Sequence, residues 1–181
     1  MKTYLSIDLD YWNEQSHARA VDDLDYLIDE ICGRELPFKV VFDHEKLLSH
    51  LRQFDFRRLI NVDFHSDVAN IDTCSELQLN CGTWVNFVPH CRSREYLWVH
   101  PGSLAFGRCD QRTNVRFPDI YTGWGDVEET NKDWRKLLDW KDVVAVGISL
   151  SPDFTAEQVL ADFIVKLHAY GRFKYVVVDS P

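Results

Sequence analysis

The sequence predicts an α/β fold, a three-layer sandwich with a mainly parallel sheet, from three observations. Short runs rich in Val, Ile, Leu and aromatic residues recur along the 181 residues, as strands covered on both faces require. Helical periodicities lie between several of them, and strand alternating with helix packs as a parallel sheet with helices on both sides. Acidic residues and histidines cluster where the runs end, the place where ligands collect in such sheets.

In chain order, Tyr4 to Leu9 reads as the first strand. Val21, Leu24, Ile28 and Ile31 then recur at helical spacing before a stop at Gly33. Phe38 to Phe42 is a second strand, Leu47, Leu48, Leu51 and Phe54 repeat the helical pattern, and Leu59 to Phe64 is a third strand. From Val68 to Asp142 the pattern is less regular, with Trp84, Trp98, Trp124, Trp134 and Trp140 among scattered Gly and Pro; Trp84 to Val88 and Tyr96 to Val99 read as strands. So long an irregular stretch inside a compact domain is often functional. Val143 to Ser149 is the next strand. Thr155-Ala156-Glu157-Gln158 has the form of a capping box, followed by Val159, Phe163, Ile164 and Leu167 on one helix face and by Gly171. Tyr175 to Val178 reads as the final strand. No repeat, linker or low-complexity tract divides the chain, so residues 1–181 are expected to form a single domain.

The formal charge of −9 argues against a nucleic-acid partner, because phosphates reward clustered Lys and Arg and the longest basic run is Arg57-Arg58. An acidic surface suits a cationic substrate. The N-terminal apolar stretch stops at Asp8, too soon for a signal-peptide core, and no run of about 18 apolar residues occurs, so a membrane is not expected as a partner and the expected location is cytoplasmic. Cys32, Cys74, Cys81, Cys91 and Cys109 are odd in number and form no C-x-x-C pair, which fits reduced thiols better than a disulfide framework or a thiolate zinc site.

The chemistry lies in Asp8-Leu9-Asp10, in His44, and in Asp63-Phe64-His65-Ser66-Asp67. Carboxylates clustered at the ends of buried strands need a positive charge to neutralise them. Residues i and i+2 share a face where the chain is extended, so Asp8 with Asp10, and Asp63 with His65 and Asp67, can converge on metal. A carboxylate-rich set with imidazoles and no thiolate suits hard or borderline ions such as manganese. Two ions about 3.5–4 Å apart supply an activated water at neutral pH and a clamp for the reacting centre. Asp67 can act as general acid and base. More modest readings stand beside these: Asp43 can cap a helix that begins at His44, Asp153 can merely precede a helix cap, and Cys81 can be a small buried residue.

On these motifs the chain resembles the arginase and agmatinase superfamily, whose binuclear manganese sites use D-x-H-x-D, S-x-D-x-D and a separate histidine after a strand. Here they are Asp63 to Asp67, Ser6-Ile7-Asp8-Leu9-Asp10, and His44. The resemblance implies two manganese ions (Mn2+) and a compact arginase-like fold. In it Asp63 and Asp8 would bridge, His65 and Asp10 would complete one ion, and His44 and Asp67 the other. Asn80-Cys81-Gly82 lies where arginases carry a substrate-loop N-x-H-G, with Cys81 in place of the histidine. S-x-D-x-D comes first here, although it comes late in ordinary arginases, and the chain is far shorter than theirs. Those two departures, with Asp10-Tyr11-Trp12 and the stretch Ser149 to Thr155, are similar to the peptide arginases, small enzymes that convert arginine in ribosomally made precursor peptides to ornithine. The implied partner is an arginine-containing precursor peptide. Asp153 is the candidate carboxylate for its guanidinium, with Asn80, Cys81 and Ser151 as further substrate-binding residues.

Two alternatives remain open. A D-x-D after an N-terminal strand also occurs in magnesium-dependent phosphatases with an aspartate nucleophile, although Tyr11-Trp12 is unlike that family and the D-x-H-x-D would go unused. A non-catalytic, metal-stabilised module that binds cationic peptides is the other.

Overall fold

The computed structural model describes residues 1–13, 15–67, 79–90, 93–102 and 124–171. Strands β1 (Thr3–Asp8), β2 (Phe38–Val41), β3 (Arg58–Val62), β4 (Glu95–Val99), β5 (Asp126–Thr130) and β6 (Val143–Ser149) form one sheet in the order β2-β6-β1-β3-β4-β5. Every pairing is parallel. The helices are α1 (His17–Gly33), α2 (Leu48–Leu51) and α3 (Glu157–Ala169). The α/β class and three-layer arrangement expected from the sequence are present. No described helix is long and apolar enough to cross a membrane.

Strand alternation divides the apolar residues between two cores. Leu5, Ile7, Ile60, Val62, Leu97, Val99, Val146 and Ile148 pack with Leu24, Leu27 and Ile28 of α1 and with Val159, Phe163 and Leu167 of α3. Tyr4, Leu59, Tyr96, Trp98 and Ala145 take the other face, with Leu47, Leu48 and Leu51 around α2 and with Trp84 and Val85. Each fully buried Leu or Ile in these layers contributes about 1.5–3 kcal/mol, so both faces hold the sheet in place under the loops at its carboxyl edge.

Several elements differ from expectation. Trp84–Phe87 is a 3-10 helix, not a strand. Strand alternation would send Trp84 and Val85 to opposite faces, yet both are fully buried in one core. The second helical pattern begins as a 3-10 turn, His44–Leu47, and only then becomes α2. The capping box does not form: the Thr155 hydroxyl donates to the Leu150 carbonyl at 2.7 Å, and Ala156 takes the N-cap position without a side-chain bond. Ile164 on α3 is exposed, so the buried stripe is Val159, Phe163 and Leu167. Strand β5 carries Asp126, Glu128 and Glu129, the charged composition of a sheet edge, and hence lacks an apolar run. Tyr96 to Val99 is a strand as expected. The proposed strand Tyr175 to Val178 lies outside the described residues, as do Cys74, Cys91 and Cys109.

Two glycines have structural reasons. Gly171, just past α3, has φ +64 and donates to the His168 carbonyl at 2.9 Å, closing the helix in a left-handed conformation. At Gly147 on β6, a Cβ would lie 2.6 Å from Tyr4 Oη and 2.8 Å from the Leu47 side chain. Bare backbone there lets the turn that starts at His44 rest on the sheet.

Candidate metal centre

β1 lies between β6 and β3, so the chain leaves it for β2 on one flank and later builds β3, β4 and β5 on the other. A crevice opens where strand order reverses in this way. Asp8 is the last residue of β1, and Asp10 lies in the 3-10 turn Leu9–Trp12. His44 opens the turn after β2, and Asp63 follows β3 directly.

The ligands converge, but not through an extended backbone. Asp8 Oδ1 accepts the Asp10 N–H at 3.1 Å and caps the turn, leaving Oδ2 for the site. Beyond Val62 the chain bends, and Asp67 adopts φ +54, a left-handed conformation tolerated by Asp better than by most residues. Three aromatic side chains hold this loop. Trp98 Nε1 donates to the Asp63 carbonyl at 3.0 Å, Tyr96 Oη donates to the Ser66 carbonyl at 2.6 Å, and Trp84 Nε1 donates to Asp67 Oδ2.

Two groups of donors result, Asp8 with His44 and Asp63, and Asp10 with Asp63 and His65; within each, the ligand atoms lie within 4.8 Å of one another. His44 Nδ1 stands 3.2 Å from Asp8 Oδ2, 3.2 Å from Asp63 Oδ2 and 2.9 Å from Asp67 Oδ2. None of these contacts has hydrogen-bond geometry, so this buried nitrogen points among three carboxylates without a proper partner. His65 Nδ1 lies 3.1 Å from Asp10 Oδ2 and 4.0 Å from Asp63 Oδ1. Asp63 thus turns one oxygen to each group. Asp8, the other expected bridge, joins the His44 group alone, and Asp67 faces His44 from outside both triads.

Charge is concentrated here. Burial, then the neighbouring Asp67 and Asp8 carboxylates, push Asp63 up to about 8. Burial, then Asp63 and Asp8, push Asp10 up to about 7. Burial opposes a proton on His44, but the Asp67 charge and the close approach of Asp63 and Asp8 hold its imidazole well above the ordinary range. The metal-free cluster therefore retains protons that a cation would replace. An orphaned imidazole nitrogen, an oxygen-rich donor set and a carboxylate facing both ways fit divalent cations.

The proposed substrate residues have different surroundings. Ser151, with φ +42, donates to Asp8 Oδ2 at 2.6 Å, so its hydroxyl orients a candidate ligand. Asn80 Oδ1 accepts the Gly82 N–H at 2.9 Å and shapes a turn. Cys81 is exposed, contrary to the buried reading; partial burial and the Asp67 and Glu45 charges raise its thiol pKa. Asp153 is exposed on the loop after β6. Asp43 makes no side-chain cap, and His44 is buried. Trp12 and Trp84 are core residues whose indoles donate to Asp23 and Asp67.

Sequence reasoning named Ser6 only as the first residue of its motif and missed Asn61, and so missed the row beneath the ligands. Ser6 and Asn61 are register partners on β1 and β3. Ser6 Oγ meets His44 Nε2 at 2.7 Å, and Asn61 Nδ2 donates to Asp63 Oδ2 at 3.1 Å. The available signal was a lone polar residue two positions before an aspartate, in both strands. Comparison with protein-family models, with curated proteins and with solved structures finds no match to this chain.

Proposed function

We propose that the chain is a binuclear manganese-dependent hydrolase that converts peptidyl arginine to ornithine and urea, in a single domain spanning residues 1–181. The observation that carries the two-ion reading is Asp63, whose Oδ2 faces His44 while its Oδ1 faces His65. The motif resemblance and the net charge of −9 support a cationic guanidinium as substrate. Among the described residues, no lysine or arginine pairs with the buried carboxylates of Asp8, Asp10, Asp63 and Asp67, which supports neutralisation by bound cations.

When bound, two divalent ions supply an activated water and neutralise charge at neutral pH. In this reading Asp8, His44 and Asp63 would hold one ion, with Asp67 beside His44, and Asp10, Asp63 and His65 would hold the other. His65, at 40% side-chain exposure beside ligands of 6% or less, marks the open side by which substrate approaches. In such a site a water oxygen would replace the side-chain nitrogen on the guanidinium carbon, and the departing amine would take up a proton. Asp67 holds that proton on the oxygen that does not accept the Trp84 N–H. Asp153 receives guanidinium N–H groups at the rim.

The phosphatase reading would take Asp8 as nucleophile and leave the placement of Asp63 between His44 and His65 without a role. Incubation of manganese-loaded protein with an interior-arginine peptide should yield urea and the ornithine mass. Phosphate release from a generic ester without urea would establish the phosphatase instead, and no product with retained peptide binding would establish the binding module. The peptidyl assignment has its own check in kcat/KM for free arginine, doubly capped arginine and the peptide: free arginine as the best of the three would remove it.

A further inference from the structure

The loop after β6 runs from one donor group to the other. It begins at Ser151, bonded to Asp8, and reaches Phe154, whose ring stands edge-on to the His65 imidazole with 6.1 Å between centroids. Phe154 is 58% exposed, yet its backbone is firmly tied. Its N–H donates to the Ser151 carbonyl at 2.8 Å, and its carbonyl accepts the Asn13 side-chain amide N–H. The oxygen of that same amide accepts the Ala156 N–H at 3.0 Å, so Asn13 spans the loop from the segment that carries Asp10. The fold thus fixes a large aromatic ring in solvent, beside the most exposed of the candidate ligands, where burial would otherwise be favoured.

We propose that Phe154 is a specificity-determining residue whose ring packs against the flat face of the substrate guanidinium as it enters past His65. The inference rests on the guanidine-hydrolase reading and adds to it the means by which guanidinium is told from ammonium. A guanidinium is planar and weakly hydrated and stacks on aromatic faces, whereas an ammonium is a compact, strongly hydrated charge that gains less from the same ring. The surrounding carboxylates attract either cation; the ring supplies the discrimination.

The test is equilibrium binding to the manganese-loaded protein, with metal content checked in each variant. The probes are a capped peptide whose arginine is replaced by an amidinium isostere, planar and cationic but without the leaving nitrogen, and the same peptide with lysine. Phe154→Ala should weaken the amidinium peptide by roughly fivefold to thirtyfold, the range of a partly desolvated cation–π contact, and change the lysine peptide far less. Phe154→Trp should bind close to wild type. Unchanged amidinium binding in Phe154→Ala, or an equal loss for lysine, would overturn the proposal. Urea formation by the wild-type protein is read separately. Its absence beside the expected binding pattern removes the hydrolase reading and keeps Phe154 as a guanidinium contact; its presence beside unaltered Phe154→Ala binding does the reverse.

Discussion

Ser6 Oγ lies 2.7 Å from His44 Nε2, and both side chains are sealed from solvent. With Nε2 engaged by the strand beneath, Nδ1 is the ring nitrogen presented to Asp8, Asp63 and Asp67. Asn61, in register with Ser6, performs the equivalent service for Asp63. The sheet therefore sets the direction of the ligands as well as their position.

Ser6→Ala should weaken manganese binding at the His44 group by about 10–100-fold, the usual cost of losing a partner that orients a ligand. Metal titration monitored beside thermal unfolding checks this; unchanged affinity would remove Ser6 from the site.

Asp63→Ala should lower occupancy at both positions, while Asp10→Asn should spare the Asp8 and His44 group. Metal analysis at limiting manganese distinguishes them. Equal effects of the two substitutions would contradict the shared role of Asp63.

The parallel sheet was legible because its strands are buried on both faces and carry continuous apolar runs, as in Val143 to Ser149. The acidic strand β5 at the end of the sheet order was not, since Asp126, Glu128 and Glu129 break any apolar run. The six candidate ligands were legible from their positions after strands, but the route to convergence was misread. Alternation cannot bring Asp63 and Asp67 together once β3 ends at Val62; a left-handed Asp67 and indole and phenol donors from Trp84, Trp98 and Tyr96 do so. Those donors come from distant sequence, and no local pattern announces them. Phe154 escaped notice because a lone aromatic in sequence gives no sign of whether it is exposed.

Metal binding should release protons, because Asp63 and Asp10 in the metal-free protein titrate at about 8 and about 7. Affinity should rise between pH 6 and pH 9, each proton displaced adding up to about tenfold per pH unit. The folded metal-free protein holds these protons above the ordinary carboxylate range, where the unfolded chain has lost them. Their stabilising contribution is therefore complete in acid and lost as pH rises through 8. Calorimetry in buffers of different ionisation enthalpy measures the protons released, and a buffer-independent heat would refute the prediction.

Acid should destabilise the opposite core through His50. Burial, and secondarily Lys39, push its imidazole down to about 4, and the ring pairs with Tyr4 Oη at 2.8 Å. The folded protein binds this proton less tightly than the unfolded chain, so the contribution is full above about pH 6.5 and drains as pH falls towards 4. The loss is on the order of 2–3 kcal/mol. His50→Gln should flatten that part of the stability profile in denaturant titrations; an unchanged slope would assign the acid loss elsewhere.

Asp23 is fully buried; its Oδ2 accepts from Trp12 Nε1 at 3.0 Å and Arg19 Nε at 3.0 Å, and its Oδ1 forms an ion pair with Arg135 Nη1 at 3.0 Å. Asp23→Ala should cost about 2–4 kcal/mol, since indole and guanidinium donors lose a shared acceptor. A smaller loss in urea unfolding would mean that water replaces the carboxylate.

The close approach at Gly147 makes part of the centre depend on an absence. A methyl group there would meet Tyr4 and Leu47 before it met any ligand, and Leu47 ends the turn that His44 begins. Displacement of a few tenths of an ångström at the sheet would thus be transmitted along one rigid turn to an imidazole that must face three oxygens at once. A side chain at this position would oblige Tyr4 or Leu47 to move, which makes one featureless residue a gauge for the seating of the histidine arm.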